Sequence, residues 1–152
     1  MRAAKIDLPD TLTKIGNYAF YGTLGVTEWN IPFGVTSIGS NAFAGCNTMT
    51  SITLPDTLKT INYNAFANCY ALTDITLPYS ITTLGSNTFK NCTALENVKF
   101  QSLTATIKIG NSCFLGCANL KNVAFPMNAT MGVKSFGYKT TSTKYTDVSM
   151  TV

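Results

Sequence analysis

The stretch ITLPDTLKTINYNAFANCYALTD, residues 52–74, decides the fold, because the chain repeats it. Phe20, Phe43, Phe66 and Phe89 stand 23 residues apart, and Phe114 follows after 25. Pro9, Pro32, Pro55 and Pro78 keep the same step, as do Ile6, Trp29, Ile52, Ile75 and Val98. Val123 is displaced by the same two residues as Phe114, so the slip lies within QSLTATIKIG, residues 101–110. Fixed-period self-similarity on this scale marks a stacked-repeat architecture, in which each unit buries its apolar face only against its neighbours.

Within one unit, Ile52 and Leu54 alternate with Thr53, which predicts a short strand with one buried face. Pro55 ends it, having no N–H to give to a ladder. Leu58 and Ile61 mark a second short apolar segment. The block NAFAN, residues 64–68, predicts a one-turn helix with Asn64 at the capping position, where its side-chain oxygen accepts from a free N–H of the turn. Asn41, Asn87 and Ser112 take that place in other repeats. Two further columns are restricted to Gly and Asn: Gly16, Gly39, Asn62, Gly85, Gly110, and Gly22, Gly45, Asn68, Asn91, Gly116. Both predict left-handed backbone, where other residues are penalised for their Cβ. Coils stacked about 4.8 Å apart then bury the columns of Ile52, Leu54, Leu58, Ile61, Phe66 and Leu72. Four cysteines, Cys46, Cys69, Cys92 and Cys117, each follow a repeat Phe by three residues, with Thr23 in the first repeat. Their spacing is the repeat itself, so they read as a ladder of packed, reduced thiols; a bridge between adjacent rungs is the alternative. Cys113 takes the small-residue slot before Phe114 and reads as packed, with a reactive thiol as the alternative.

The register I-x-L-P-x-x-[LIV]-x-x-[IL]-G-x-x-[AT]-F-x-[GN]-C-x-x-[LM] over residues 6–126 resembles the BspA type of leucine-rich repeat. The resemblance implies a β-rich α/β fold: a right-handed leucine-rich-repeat solenoid of about five 23-residue coils, with short parallel strands plus one-turn helices. Residues 1–126 form the array and residues 127–152 a non-repeat cap or tail, in which Tyr145 to Val152 reads by its hydrophobic pattern as a closing strand, with a disordered end as the alternative. Three departures stand out: Thr23 replaces the first Cys, Gln101 replaces the fifth Pro, and the fifth repeat carries the insertion. Members of this family are typically exported, multidomain surface proteins implicated in adhesion. The resemblance therefore implies a cell-surface or secreted location for this segment as part of a larger exported protein, with a cytoplasmic location as the alternative. It implies a protein ligand, either a host extracellular protein or another surface protein.

Composition agrees. Only 12% of residues are charged and 45% are hydrophobic, so Thr, Ser and Asn carry the polarity, which suits a stacked β-rich array. The net charge of +4 is spread thinly and forms no basic stripe for phosphates, which argues against nucleic acid. No apolar run has the length needed to cross a bilayer. The start MRAAKIDLPD lacks the apolar core of a secretory signal, and we expect the segment to be internal to an exported chain. There is no histidine, no paired cysteine motif and no phosphate loop. Asp7, Asp10, Glu28, Asp56, Asp74, Glu96 and Asp147 read as solvated turn residues. No enzyme, cofactor or metal site is expected. Asn91 and Asn128 head formal glycosylation sequons, and Asn91 already has a turn to make.

Solenoids usually bind through the outward residues of the strand ladder. Those of the first strand are Asp7, Asn30, Thr53, Thr76, Lys99 and Ala124; those of the second segment include Thr13, Lys14, Thr36, Ser37, Lys59, Thr60, Thr82 and Thr83. Phe33 and Tyr79 share the turn after the first strand. The expected ligand face is Asn30, Phe33, Thr53, Thr76, Tyr79 and Lys99. A purely structural spacer is the competing reading.

Overall fold

The structure is a computed structural model that describes residues 5–136; the expected strand at residues 145–152 lies outside them. Each coil contributes two very short strands. The second apolar segments form β1 (Lys14–Ile15), β3 (Ser37–Ile38), β5 (Thr60–Ile61), β7 (Thr83–Leu84), β9 (Lys108–Ile109) and β11 (Thr130–Met131). These lie side by side as one parallel six-stranded sheet in the order β1-β3-β5-β7-β9-β11. The register passes from Ile15 to Ile38, Ile61, Leu84, Ile109 and Met131. The first strands are β2 (Glu28–Asn30), β4 (Ser51–Thr53), β6 (Asp74–Leu77), β8 (Asn97–Phe100) and β10 (Asn122–Ala124). They do not make one ladder: β2 pairs with β4, and β6, β8 and β10 pair among themselves. All pairings are parallel. The result is a β-solenoid of about five coils of the 23-residue type.

No one-turn helix forms among the described residues. The reason lies in where the amides of residues 62–69 point. Ala65, Ala67 and Cys69 donate back three residues, to Asn62, Asn64 and Phe66. The amides between them, Asn64, Phe66 and Asn68, donate instead to Ser86, Thr88 and Lys90 of the next coil, at 3.1, 2.9 and 2.8 Å. A helix needs every N–H to turn back on its own chain; here alternate amides hold the coils together. Asn64 accordingly is no helix cap. It has φ 56°, and Tyr18, Asn41, Asn87, Ser112 and Lys134 share the left-handed conformation, whereas a capping residue is extended. The column of Gly22, Gly45, Asn68, Asn91 and Gly116 is left-handed as expected, with φ from 59° to 78°.

The other Gly column is correct in composition but not in reason. Gly39, Gly85 and Gly110 are absent from the left-handed region. They are small because the coils touch there: a Cβ on Gly85 would lie 2.7 Å from the backbone carbon of Asn62, and one on Gly39 would lie 2.6 Å from that of Gly16. Close approach of two backbones explains Gly39, Gly85 and Gly110; Gly16 at the first coil meets nothing, and Asn62 instead sends its side-chain amide to the Ile38 carbonyl at 2.9 Å.

The core is a set of stacked identical side chains. Phe43, Phe66, Phe89 and Phe114 are fully buried, with successive ring centroids 5.4, 5.5 and 5.6 Å apart and planes within 7° of parallel. Each ring stacks nearly parallel on the next because the backbone beneath it repeats. Phe20 is half-buried at the first coil and, with Phe43, packs against Trp29. The ladders run past the boundary expected at residue 126: β11 closes the six-stranded sheet, and Phe136 stacks on Phe114 at 5.7 Å and 13°. The insertion takes the form of a loop over residues 101–106, pinned where the Met127 N–H donates to the Leu103 carbonyl at 2.9 Å.

Candidate ligand-binding surface

The cysteines belong to the scaffold. All five are buried and unbridged. The thiols of Cys46, Cys69, Cys92 and Cys117 donate to the carbonyls of Phe20, Phe43, Phe66 and Phe89 in the coil before, at 3.2, 3.1, 3.1 and 3.0 Å. Each of these carbonyls already accepts the N–H three residues on, and the weak thiol donor of the next coil adds a second bond. Thr23, at the first position, donates to Phe20 within its own turn at 2.8 Å. Burial pushes the Cys46, Cys113 and Cys117 thiols up to about 12 and lifts Cys92 well above its ordinary value, since a thiolate there would lose its hydration. Thiols so buried and protonated are poor nucleophiles. Cys113 is packed in the same way, so the reactive-thiol alternative falls.

Polar side chains divide into two groups by what they hold. Thr36, Thr50 and Thr82 direct their hydroxyls to the carbonyls of Thr13, Thr27 and Lys59 one coil back. Thr57 and Ser80 do the same for Val35 and Leu58. At the start of the first strands the Asn97 amide donates to Asp74 at 2.6 Å and the Asn122 amide to Asn97 at 2.7 Å. Much of the Thr- and Asn-rich surface thus consists of clamps between coils. Sequence reasoning took Thr36 and Thr82 as part of an open surface and missed this role; their position one residue before a strand is the signal that could have shown it.

The expected ligand-face residues are exposed. Asn30 lies beside Thr53 on β2 and β4, and Thr76 beside Lys99 on β6 and β8. Among the described residues the side chains of Asn30, Thr53, Thr76 and Lys99 form no hydrogen bond or ion pair, unlike the clamping hydroxyls. Phe33 is 75% exposed and Tyr79 64%, too much for either ring to be covering a neighbour. The structure brings these six residues to one side of the array but not into one cluster. Phe33 and Tyr79 are two coils apart with Asp56 between them in the column, and the break between β4 and β6 divides Asn30 and Thr53 from Thr76 and Lys99. Three depressions mark this side, the smallest of about 200 Å3 beside Thr53 and Thr76. One of about 300 Å3 includes Asn30 and Phe33, and one of about 450 Å3 includes Lys99. The largest owes its wall to Leu103 of the insertion, which was not singled out from the sequence.

No group of His, Cys, Asp and Glu among the described residues could hold a metal ion, and no helix there is long and apolar enough to cross a membrane. No curated protein matches the chain. Several solved structures share its fold. A leucine-rich repeat protein of T. pallidum is 28% identical with a TM-score of 0.70, over 83% of this chain and 67% of that one. A leucine rich cell surface protein of Faecalibacterium prausnitzii is 28% identical with a TM-score of 0.55, over 85% of this chain and 43% of that one. The pneumococcal vaccine antigen PcpA has a TM-score of 0.74 at 24% identity, over 90% of this chain and 36% of that one, which is a likeness of fold alone. The chain therefore spans less than half the length of the last two. The model of the BspA type leucine rich repeat region matches residues 13–143 in six copies, and with the Phe, Cys and Gly/Asn ladders in place the chain belongs to that family.

Proposed function

We propose that the chain is a non-catalytic protein-binding module of a cell-surface or secreted protein, and that it serves adhesion through the outward side of its first strands. The observation that carries this reading is the contrast in side-chain commitment. Thr36, Thr50 and Thr82 clamp one coil to the next, while the side chains of Asn30, Thr53, Thr76 and Lys99 form no hydrogen bond among the described residues and share one side with exposed Phe33 and Tyr79. Exposed aromatics flanked by uncommitted polar groups are what protein recognition uses. The surface location draws support from the F. prausnitzii cell surface protein, which shares the fold at 28% identity.

The test is a variant carrying Phe33→Ala, Thr53→Ala, Thr76→Ala and Tyr79→Ala together. The parent chain is passed over immobilised extracellular-matrix proteins and over whole bacterial cells to find a retained partner. The variant should lose that partner while keeping its circular dichroism and melting temperature. Binding that survives all four changes places the site elsewhere. A spacer, by contrast, retains no specific partner in either assay.

A further inference from the structure

We infer that the groove beside the loop of residues 101–106 takes an extended peptide segment of a partner protein in which an aliphatic side chain stands next to a carboxylate. This rests on the protein-binding reading and adds to it a site and a ligand chemistry. The groove has a volume of about 450 Å3 and is bordered by Asn97, Lys99 and Phe100 of β8, Asn122 and Ala124 of β10, and Leu103 of the loop. That volume is in the range of sites that enclose a ligand side chain or small molecule.

Three features set the chemistry. Leu103 is 50% exposed, and its carbonyl accepts from the Met127 N–H at 2.9 Å, so an aliphatic wall is fixed in place. Ala124 occupies the outward column that elsewhere holds Asn30, Thr53, Thr76 and Lys99, and its small side chain leaves room opposite Leu103. The polar rim carries one cation and two side-chain amides. Lys99 is exposed with no ion pair among the described residues, and no carboxylate borders the groove. The Asn97 and Asn122 amides each use one N–H in their ladder and keep a second. An apolar wall with a cation and two amide donors at its edge is complementary to an aliphatic group beside an anion. The segment is extended because the groove runs along the paired strands β8 and β10.

The experiment is a titration of the full 15N-labelled chain with two end-blocked peptides, STLDTS and STLNTS, read by amide chemical shifts. The acid peptide should shift Lys99, Leu103 and Ala124 and bind about two- to fivefold more tightly than its amide twin, the ratio expected for one exposed charge pair. Lys99→Glu and Ala124→Trp should each remove those shifts without lowering the melting temperature. Equal binding of the two peptides, shifts centred elsewhere, or no shifts overturn the proposal. So does an Asp147→Asn chain that binds STLDTS where the parent does not, since the occupant would then be the chain's own carboxyl-terminal segment. If Lys99→Glu keeps a protein partner that the four-residue variant loses, the protein-binding reading stands and the groove assignment falls. If the acid peptide binds as expected while no protein partner is retained, the groove stands and that reading falls.

Discussion

At the scale of single residues the structure separates two uses of small residues that look alike in the sequence. Asn68 is needed for its conformation, with φ 60°, and Asn68→Ala should destabilise by roughly 1–2 kcal/mol. Asn68→Gly keeps that conformation and loses only the bond its side-chain oxygen accepts from the Asn91 amide at 3.1 Å, so it should cost less in the same urea titration. Gly85 is needed for contact, since any Cβ meets the backbone of Asn62 and Tyr63. Gly85→Ala should therefore cost about 1–3 kcal/mol although its backbone angle is open to alanine. The Gly/Asn restriction was legible from the sequence in both columns; its cause was legible in only one, because close approach between coils leaves no mark on a single repeat. The thiols make a second prediction. Cys46, Cys113 and Cys117 rise from 9.0 to about 12 on folding, so the folded state holds protons that the unfolded chain gives up. Their contribution to stability is full below about pH 9 and is lost as pH climbs through about 12. Alkaline melts should show a falling transition temperature over that window. Iodoacetamide at pH 8 should leave the native thiols unlabelled and react with all five in urea.

At the scale of the repeated element, the strands and the Phe column follow directly from alternation and period, and they lie where the sequence put them. The turn of residues 62–69 does not. Local propensity reads NAFAN as helix-compatible, but the pull of the next coil on Asn64, Phe66 and Asn68 outweighs it. That influence is non-local, so a window one repeat wide could not contain it. The two-residue slip is visible in the sequence as a change of register, yet nothing in the sequence marks Leu103 as the wall of a groove. Packing within the element is tested at Phe66, which is fully buried between Phe43 and Phe89. Phe66→Ala should cost about 3–5 kcal/mol. Phe20→Ala, at the half-buried first coil, should cost clearly less, and urea midpoints for the two variants give the comparison.

At the scale of the whole molecule, the candidate ligand face was legible in its membership but not in its arrangement. The six expected residues are all exposed, but the parting between β4 and β6 divides them, and that parting has no counterpart in the alternation of Ile52, Thr53 and Leu54. The hydrogen bonds on the opposite side have a larger consequence. The Phe20 N–H meets the carbonyl of Ala42, and the N–H of that same peptide unit, on Phe43, meets Ala65; the relay continues through Phe66 to Thr88, Phe89 to Cys113 and Phe114 to Ser135. A parallel relay runs from Tyr18 through Asn41, Asn64, Asn87 and Ser112 to Val133. Peptide dipoles aligned head to tail in this way polarise one another and sum, as they do in an α-helix. The turn side of the array therefore carries an axial dipole of reversed helix sense without containing a helix, opposed on the strand side by the relay from Gly132 through Gly110, Gly85, Asn62 and Gly39 to Ile15. The negative pole of the turn side is at the first coil, where the carbonyls of Asn17, Ala19 and Tyr21 accept no hydrogen bond among the described residues. A cation should be favoured there: Tyr21→Lys should be more stable than Tyr21→Glu by about 0.3–1 kcal/mol at low salt, with the difference fading as salt is added. Coils added at either end continue both relays only if they keep the same direction, so the hydrogen-bond pattern favours head-to-tail growth of the array.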